Sequence, residues 1–269
     1  MAQASKDNWA AGDLYEPYVG RWSRKVAPEF LRWLHLLASE RWLDLGCGTG
    51  ALTQAILAHA APATVQGIDP SPGFIAYAQA HIHDPRVSFA VGDAQAIPLD
   101  AHSVDVAVAG LVLNFVPEPE RALSEMVRVT RPGGTVAAYV WDYAGKMELM
   151  RYFWDAAAAL DPKAQDEGPR FAFCQPDPLQ ALFEQAGLQA VQVQAIDVPT
   201  VFRDFDDYWS PFLGGQGPAP AYAMSLSEAD RAALRERIRA ALPQPQGDGR
   251  IELMARAWAV RGRRAAAPA

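Results

Sequence analysis

A short apolar segment followed by alternating glycines limits the folds open to this chain. Residues 41–45 show almost no alternation of polar and apolar positions, as expected for a strand covered on both faces. Glycine then occupies Gly46, Gly48 and Gly50, and a helix-like run begins at residue 51. Glycine lets the backbone approach a ligand closely, and a helix N-terminus adds partial positive charge. We therefore expect a strand–loop–helix unit that offers main-chain amides to a bound molecule, although a tight turn without a ligand would also fit the glycines.

Strands and helices alternate along the first half of the chain. Apolar spacing predicts helices over residues 24–38, 51–59, 72–82 and 118–129, and strands over residues 41–45, 64–68, 87–91, 104–109 and 135–141. Ser71 followed by Pro72 is typical of a helix start. Five strands separated by helices predict an α/β fold with a Rossmann-like, doubly wound and mostly parallel sheet.

The pattern changes after residue 142. A helix is predicted over residues 177–186, and strands over 188–196 and 251–260 bring the sheet to seven strands. Residues 204–248 are expected to form a helical insertion, or lid, between these last two strands. The whole of residues 1–269 is interpreted as one domain, with an N-terminal helical cover at 1–39 and a ligand-binding core at 40–141.

Charge and cysteine content argue against several classes of protein. A net charge of −7 opposes general nucleic-acid binding, which depends on many Lys and Arg contacts to phosphate. Two cysteines, Cys47 and Cys174, do not make a disulfide framework, and we expect no metal site. We find no apolar run long enough to span a membrane and no signal-peptide core in residues 1–8. A cytoplasmic protein is therefore expected.

Two acidic residues follow the second and third predicted strands. Asp69 lies 19 residues beyond Gly50, and a carboxylate there can accept hydrogen bonds from ribose hydroxyls. Asp93 lies in Gly92-Asp93-Ala94 and can accept from an exocyclic amine. The carboxyl ends of parallel strands meet at one edge of a sheet, where open α/β folds bind ligands. Ordinary turns capped by aspartate remain the alternative for both residues.

These motifs together resemble those of class I S-adenosylmethionine-dependent methyltransferases, and most closely the group of the ubiquinone/menaquinone-biosynthesis enzymes. The resemblance runs in order from about residue 40 to 141, and its motifs are the segments 43–50, 67–71, 92–94, 103–105 and 128–134. It implies S-adenosylmethionine as cofactor, S-adenosylhomocysteine as product, and an antiparallel final strand at residues 251–260. It implies a small-molecule methyl acceptor but does not identify that acceptor.

The resemblance also assigns residues to the two halves of the site. The loop would hold the methionine part of the cofactor, Asp69 the ribose, Asp93 with Ala94 the adenine, and Arg21 the cofactor's carboxylate. The cofactor-binding residues expected on this basis are Tyr18, Arg21, Gly46, Cys47, Gly48, Asp69, Pro70, Ser71, Asp93, Ala94, Gln95, Gly110 and Leu111. The residues expected around the acceptor are Tyr15, Asn114, Trp141, Tyr143 and Trp209.

Methyl transfer from a sulfonium depends mainly on alignment and exclusion of water, so no dedicated base is required. No residue is assigned a catalytic role, and Asp142 is the weak candidate if a base is used. A non-catalytic cofactor-binding protein stays open as an alternative. A nicotinamide-dependent dehydrogenase is a weaker one, because the glycines follow G-x-G-x-G rather than G-x-G-x-x-G.

Overall fold

A computed structural model describes residues 16–215, 217–244, 247 and 249–266. These residues form one seven-stranded sheet in the order β3-β2-β1-β4-β5-β7-β6. The strands are β1 Arg41–Leu45, β2 Thr64–Asp69, β3 Val87–Val91, β4 Val104–Gly110, β5 Thr130–Trp141, β6 Gln189–Phe202 and β7 Ile251–Arg263. Strands β1 to β5 are mutually parallel, whereas β7 runs antiparallel to both β5 and β6. The predicted fold class, including the antiparallel last strand, is confirmed.

Ten α-helices connect these strands within the described ranges. They are α1 Arg21–Leu34, α2 Ala51–His59, α3 Pro72–His81, α4 Pro119–Val129, α5 Glu148–Leu160, α6 Glu167–Arg170, α7 Pro176–Gln185, α8 Phe205–Trp209, α9 Pro218–Ser225 and α10 Glu228–Ala241. Helices α8, α9 and α10 follow β6 and precede β7, in the segment expected to be an insertion. Of the helices in the described parts of the chain, none has the length and apolar character needed to traverse a bilayer.

The hydrophobic core is centred on the middle strands. All of Trp42–Leu45 and all of Val104–Ala109 are buried, whereas the edge strand β3 is largely exposed. Strands buried on both faces lose the polar–apolar alternation, which explains the continuous apolar runs in the sequence. The core therefore fixes the central strands from both sides and leaves their carboxyl ends to form a binding edge.

The largest differences from the predicted element boundaries lie in α1, β5 and β6. Helix α1 begins at Arg21 and ends at Leu34, because His35 adopts a left-handed conformation, and Leu37 is 77% exposed. Strand β5 begins at Thr130 instead of residue 135, through a shift in its register with β4. Strand β6 continues to Phe202, because it pairs with β7 as far as Ile251. Helix α5 was not predicted at all.

Candidate functional site

The main cavity opens where the order of the strands reverses. Strand β1 has β2 on one side and β4 on the other, so the connections leave in opposite directions from this point. Ligands bind at such a switch point in open α/β sheets, beside the carboxyl ends of the strands. The cavity there has a volume of about 1090 Å³ and is lined by residues following β1, β2, β3, β4 and β5. The edge predicted from the sequence therefore carries a cavity.

The glycine loop contributes space to this cavity, and three of its amides already donate to β2. Gly46 N and Cys47 N both donate to the carbonyl oxygen of Ile68, at 2.7 and 3.1 Å. Gly48 N donates to Oδ2 of Asp69 at 3.0 Å. The expectation that the loop presents free amides is wrong for these residues, because β2 and its end occupy them. Gly48 has a φ of +52°, and a Cβ added there would meet nothing within 4 Å.

Asp69 joins the loop to the end of β2. Its Oδ2 accepts from Gly48 N at 3.0 Å and its Oδ1 accepts from Ser71 N at 2.8 Å. Burial raises the pKa of this carboxyl above its usual range, and the bonds from Ser71 and Gly48 oppose that shift. A carboxylate has about four acceptor positions, so two are left for a ligand. Asp69, Pro70 and Ser71 all line the cavity.

The residues after β3 also line the cavity. Asp93 is exposed, and its Oδ1 accepts from the backbone N of Gln95 at 2.9 Å. This is the ordinary aspartate turn considered as an alternative, and it occurs beside the cavity, with Ala94 and Gln95 also on the wall. Both interpretations of Asp93 are therefore compatible with the structure.

A second buried carboxyl lies behind the loop. Asp44 of β1 is fully buried, and its Oδ2 accepts from Thr53 Oγ1 at 2.6 Å, while Oδ1 has no hydrogen-bond partner among the described residues. Burial raises the pKa of Asp44 to about 7, the Thr53 hydroxyl opposes the shift, and the neighbouring Asp69 adds to it. Asp44 itself is not on the cavity wall. The cofactor half of the site is thus backed by two acidic groups.

The end of β4 turns sharply into the cavity. Leu111 adopts a φ of +61°, a region that residues with a side chain rarely occupy, and its N donates to the Tyr139 carbonyl oxygen at 2.7 Å. Such conformations persist where the surrounding structure enforces them, and they concentrate at functional sites. Gly110 and Leu111 both line the cavity. Both residues thus lie on the cavity wall, as the sequence predicted, and the backbone there is held in an uncommon conformation.

Beyond this turn the cavity has aromatic walls. Tyr18, Asn114, Trp141 and Tyr143, all named from the sequence, line it and are buried. Asn114 Nδ2 donates to the Tyr143 hydroxyl oxygen at 3.2 Å. Burial raises the pKa of Tyr18 well above its usual range, with Glu167 adding to the effect, and its hydroxyl donates to the sulfur of Met150 at 3.0 Å.

Much of this second wall was not predicted from the sequence. Residues from helix α5, from α6 and the segment after it, and from the start of α9 complete it: Met150, Glu167, Arg170, Phe171, Phe173 and Pro218. Glu167 is 1% exposed, and its Oε2 accepts from Trp154 Nε1 at 2.8 Å. The helical spacing of apolar residues from 149 to 157 was a usable signal for α5, whereas nothing in the sequence places Glu167 beside the cavity.

Four residues considered from the sequence do not line the cavity. Arg21 instead donates to Asp207 Oδ1 at 3.0 Å, so the predicted contact with the cofactor's carboxylate lacks support. Trp209 packs against Phe212 inside the insertion. Asp142 is buried, where it accepts from Gln175 Nε2 and Lys146 N, which removes the observation that made it a candidate base.

Cys47 is the fourth of these residues, and it is buried beneath the loop with its sulfur close to Gly67. Burial raises the pKa of the Cys47 thiol well above its usual range, as expected for a packing residue rather than a nucleophile. Tyr15, expected near the acceptor, lies outside the described residues.

The chain is similar to known proteins in sequence over part of its length and in fold over most of its length. Residues 43–138 match the family described as a methyltransferase domain. An uncharacterized methyltransferase of Mycobacterium tuberculosis is 37% identical over 127 residues, which is 46% of this chain and 50% of that protein. A demethylmenaquinone methyltransferase of Clavibacter sepedonicus is 36% identical over 115 residues, covering 42% of this chain and 43% of that protein. The chain thus spans about half the length of the curated relatives it matches.

A solved structure extends the likeness to the rest of the fold. It is phosphoethanolamine N-methyltransferase 2 of Haemonchus contortus, in complex with phosphomonomethylethanolamine and S-adenosylhomocysteine. The two structures superpose with a TM-score of 0.55 at 16% identity, over 91% of this chain and 53% of that one. Residues 43–138 thus match the methyltransferase domain family, and the chain shares the fold of a solved methyltransferase structure.

Proposed function

We propose that this protein transfers a methyl group from S-adenosylmethionine to a small-molecule acceptor. The observation that carries the proposal is that one cavity connects the glycine loop and Asp69 to the aromatic wall around Asn114 and Tyr143. Sites for single drug-sized ligands have volumes of about 300–1,000 Å³. A cavity of about 1090 Å³ therefore offers room for a nucleoside cofactor and a second molecule beside it.

The residues on the first half of the wall fit the cofactor. Gly48 leaves open space where any other residue would place a side chain, and Asp69 keeps acceptor capacity for hydroxyl groups. We therefore assign the methionine and ribose parts to this half.

The chain itself contributes orientation and exclusion of water. S-adenosylmethionine, when bound, supplies an electrophilic methyl group on its sulfonium sulfur. Tyr18, Trp141 and Tyr143 are buried and enclose the space beyond the β4 turn. Holding two reactants in line in an enclosed site can lower the barrier by about 7 kcal/mol or more. No residue is assigned as a general base, in keeping with the sequence prediction.

The relatives support the class of reaction and leave the acceptor open. They include a demethylmenaquinone methyltransferase and a malonyl-[acyl-carrier protein] O-methyltransferase, whose names refer to chemically different acceptors. A small-molecule acceptor is our proposal for this chain. The exclusion of nucleic-acid partners, the cytoplasmic location and the role of residues 204–248 as a lid stay predictions.

Turnover with radiolabelled S-adenosylmethionine tests the proposal. The protein would be incubated with a panel of small phenols, quinols, amines and thiols, and label transferred to an acceptor would be measured together with S-adenosylhomocysteine. We expect labelled product from at least one class of acceptor. Tight cofactor binding with no transfer to any member of the panel would favour the non-catalytic alternative.

A further inference from the structure

The side-chain amide of Asn114 is held in one orientation at the wall of the cavity. Asn114 is 7% exposed, and its Nδ2 donates to the Tyr143 hydroxyl oxygen at 3.2 Å. The Tyr143 ring packs against Phe171 with ring centroids 5.0 Å apart, and Phe171 packs against Phe115 at 5.3 Å. This aromatic group fixes the tyrosine and thereby the nitrogen side of the amide.

The oxygen of the same amide is the second feature of this site. Asn114 Oδ1 is buried and lacks a hydrogen bond within the described part of the chain. Buried polar atoms are nearly always hydrogen-bonded, so an exception calls for an explanation. Because Asn114 lines the cavity, a ligand that donates a hydrogen bond would satisfy this oxygen.

The wall next to Asn114 also favours a ligand that is largely apolar and carries a hydrogen-bond donor. Phe115, Phe171 and Phe173 provide ring faces and edges, and the buried carboxyl of Glu167 on the same wall is a hydrogen-bond acceptor. Arg170 also lines the cavity, but it is exposed, and its guanidinium lies 4.8 Å from the centre of the Phe171 ring. The buried part of this half therefore disfavours an anionic group on the ligand and favours a hydrogen-bond donor.

We propose that this half of the cavity binds a flat, largely apolar molecule that carries a hydroxyl or amine group, and that this group donates a hydrogen bond to Asn114 Oδ1. The inference rests on the proposed function, because it assigns the space beyond the β4 turn to the methyl acceptor. It narrows the acceptors to phenol-like, alcohol or amine compounds with an apolar body. Asn114 is then a residue that determines acceptor specificity.

A pair of matched probes tests this inference on the protein saturated with S-adenosylhomocysteine. The probes are 2-naphthol and 2-methylnaphthalene, which have similar shapes and differ by a hydroxyl in place of a methyl group. Affinities would be measured by ligand-detected NMR titration. Since losing a hydrogen bond to a buried acceptor weakens binding substantially, we expect 2-naphthol to bind about tenfold or more tightly than 2-methylnaphthalene.

Variants of Asn114 test whether the preference for 2-naphthol depends on Asn114 Oδ1. Asn114→Leu removes the oxygen at similar size and should abolish the preference for 2-naphthol, whereas Asn114→Asp keeps an acceptor oxygen and should preserve it. Affinity for S-adenosylhomocysteine and the melting temperature serve as controls for folding, and Asn114→Ala replaces the leucine variant if that variant unfolds.

Three outcomes separate this inference from the proposed function. If the wild-type protein fails to bind S-adenosylhomocysteine, the proposed function itself is wrong. If it binds S-adenosylhomocysteine but binds the two naphthalenes equally, or binds neither, only the present inference is overturned. A preference that survives in Asn114→Leu or Asn114→Ala would likewise overturn the assignment to Asn114.

Discussion

At the scale of single residues, the important feature of the glycine loop is that Gly48 has no side chain. Its amides at Gly46, Cys47 and Gly48 are bound to the chain around Asp69, so they hold the loop in place. The open space over Gly48 is what remains for a ligand. A glycine here is required by a positive φ and also by the ligand's need for room.

Gly48→Ala tests this role, with Gly187→Ala as a matched control. Both glycines have positive φ and open space around them, but only Gly48 lines the cavity. We expect each variant to lower the free energy of unfolding by about 1–2 kcal/mol from backbone strain. Only Gly48→Ala should lower the affinity for S-adenosylhomocysteine, by about tenfold or more, in calorimetric titrations. Equal affinities for the two variants would show that the loop does not contact the cofactor.

Asp44 predicts a pH dependence of stability. Its pKa rises from an ordinary 3.8 to about 7 on folding, so between these values the native state binds more protons than the unfolded state. The contribution of Asp44 to the free energy of unfolding is therefore greatest at low pH. It falls as the pH rises toward about 7 and then levels off. The free energy of unfolding of the wild type relative to Asp44→Asn should fall by about 2–3 kcal/mol between pH 5 and pH 8.

Urea unfolding of both proteins at several pH values measures this difference. The subtraction removes the titration of shared groups that do not interact with Asp44. A difference that stays constant from pH 5 to pH 8 would mean that Asp44 is ionised throughout this range.

At the scale of elements, one ion pair ties the N-terminal helix to the insertion. Arg21 at the start of α1 donates to Oδ1 and to the backbone oxygen of Asp207 in α8. Its guanidinium also lies 4.4 Å from the centre of the Trp22 ring and 4.8 Å from that of Phe202. These contacts explain why Arg21 faces away from the cavity.

Arg21→Ala and Asp207→Ala test whether this tie is structural. Because the pair is partly buried, we expect each variant to lower the free energy of unfolding by about 1–3 kcal/mol, and the double variant to cost less than the sum. Affinity for S-adenosylhomocysteine should change by less than about threefold. A large loss of affinity confined to Arg21→Ala, with folding intact, would restore the contact between Arg21 and the cofactor that the sequence suggested.

Elements with a regular pattern were predictable, and those shaped by distant contacts were not. Helix α2 and strands β1 and β3 have the predicted bounds, and Ser71 caps α3 by accepting from Phe74 N. The early start of β5 could not be predicted locally, because Pro132-Gly133-Gly134 is typical of a turn. In the structure this stretch is continuous with β5, and Gly133 N donates to the carbonyl oxygen of Arg264 far along the chain.

At the scale of the whole molecule, the sequence located one half of the site better than the other. The expected cofactor half depends on strand ends, which the order of elements places at one edge, and Asp69, Asp93 and Gly110 all line the cavity there. The acceptor half depends on side chains from distant segments. Glu167 reaches the wall because α6 packs beside α5, where it accepts from Trp154, and local spacing carries no trace of this contact.

We propose that the carboxyl ends of the strands bind the adenosyl cofactor, with Asp69 as a direct contact. Calorimetric titration of S-adenosylhomocysteine into the wild type, Asp69→Ala and Asp84→Ala tests it most directly. Asp84 is a matched control, because its Oδ1 also accepts from the backbone N two residues ahead and it lies off the cavity wall.

We predict that the wild type and Asp84→Ala bind with similar affinity and that Asp69→Ala binds about tenfold or more weakly, as expected when a ligand loses a hydrogen bond to a carboxylate. No binding by the wild type at high micromolar concentration, or unchanged affinity in Asp69→Ala, would contradict the account.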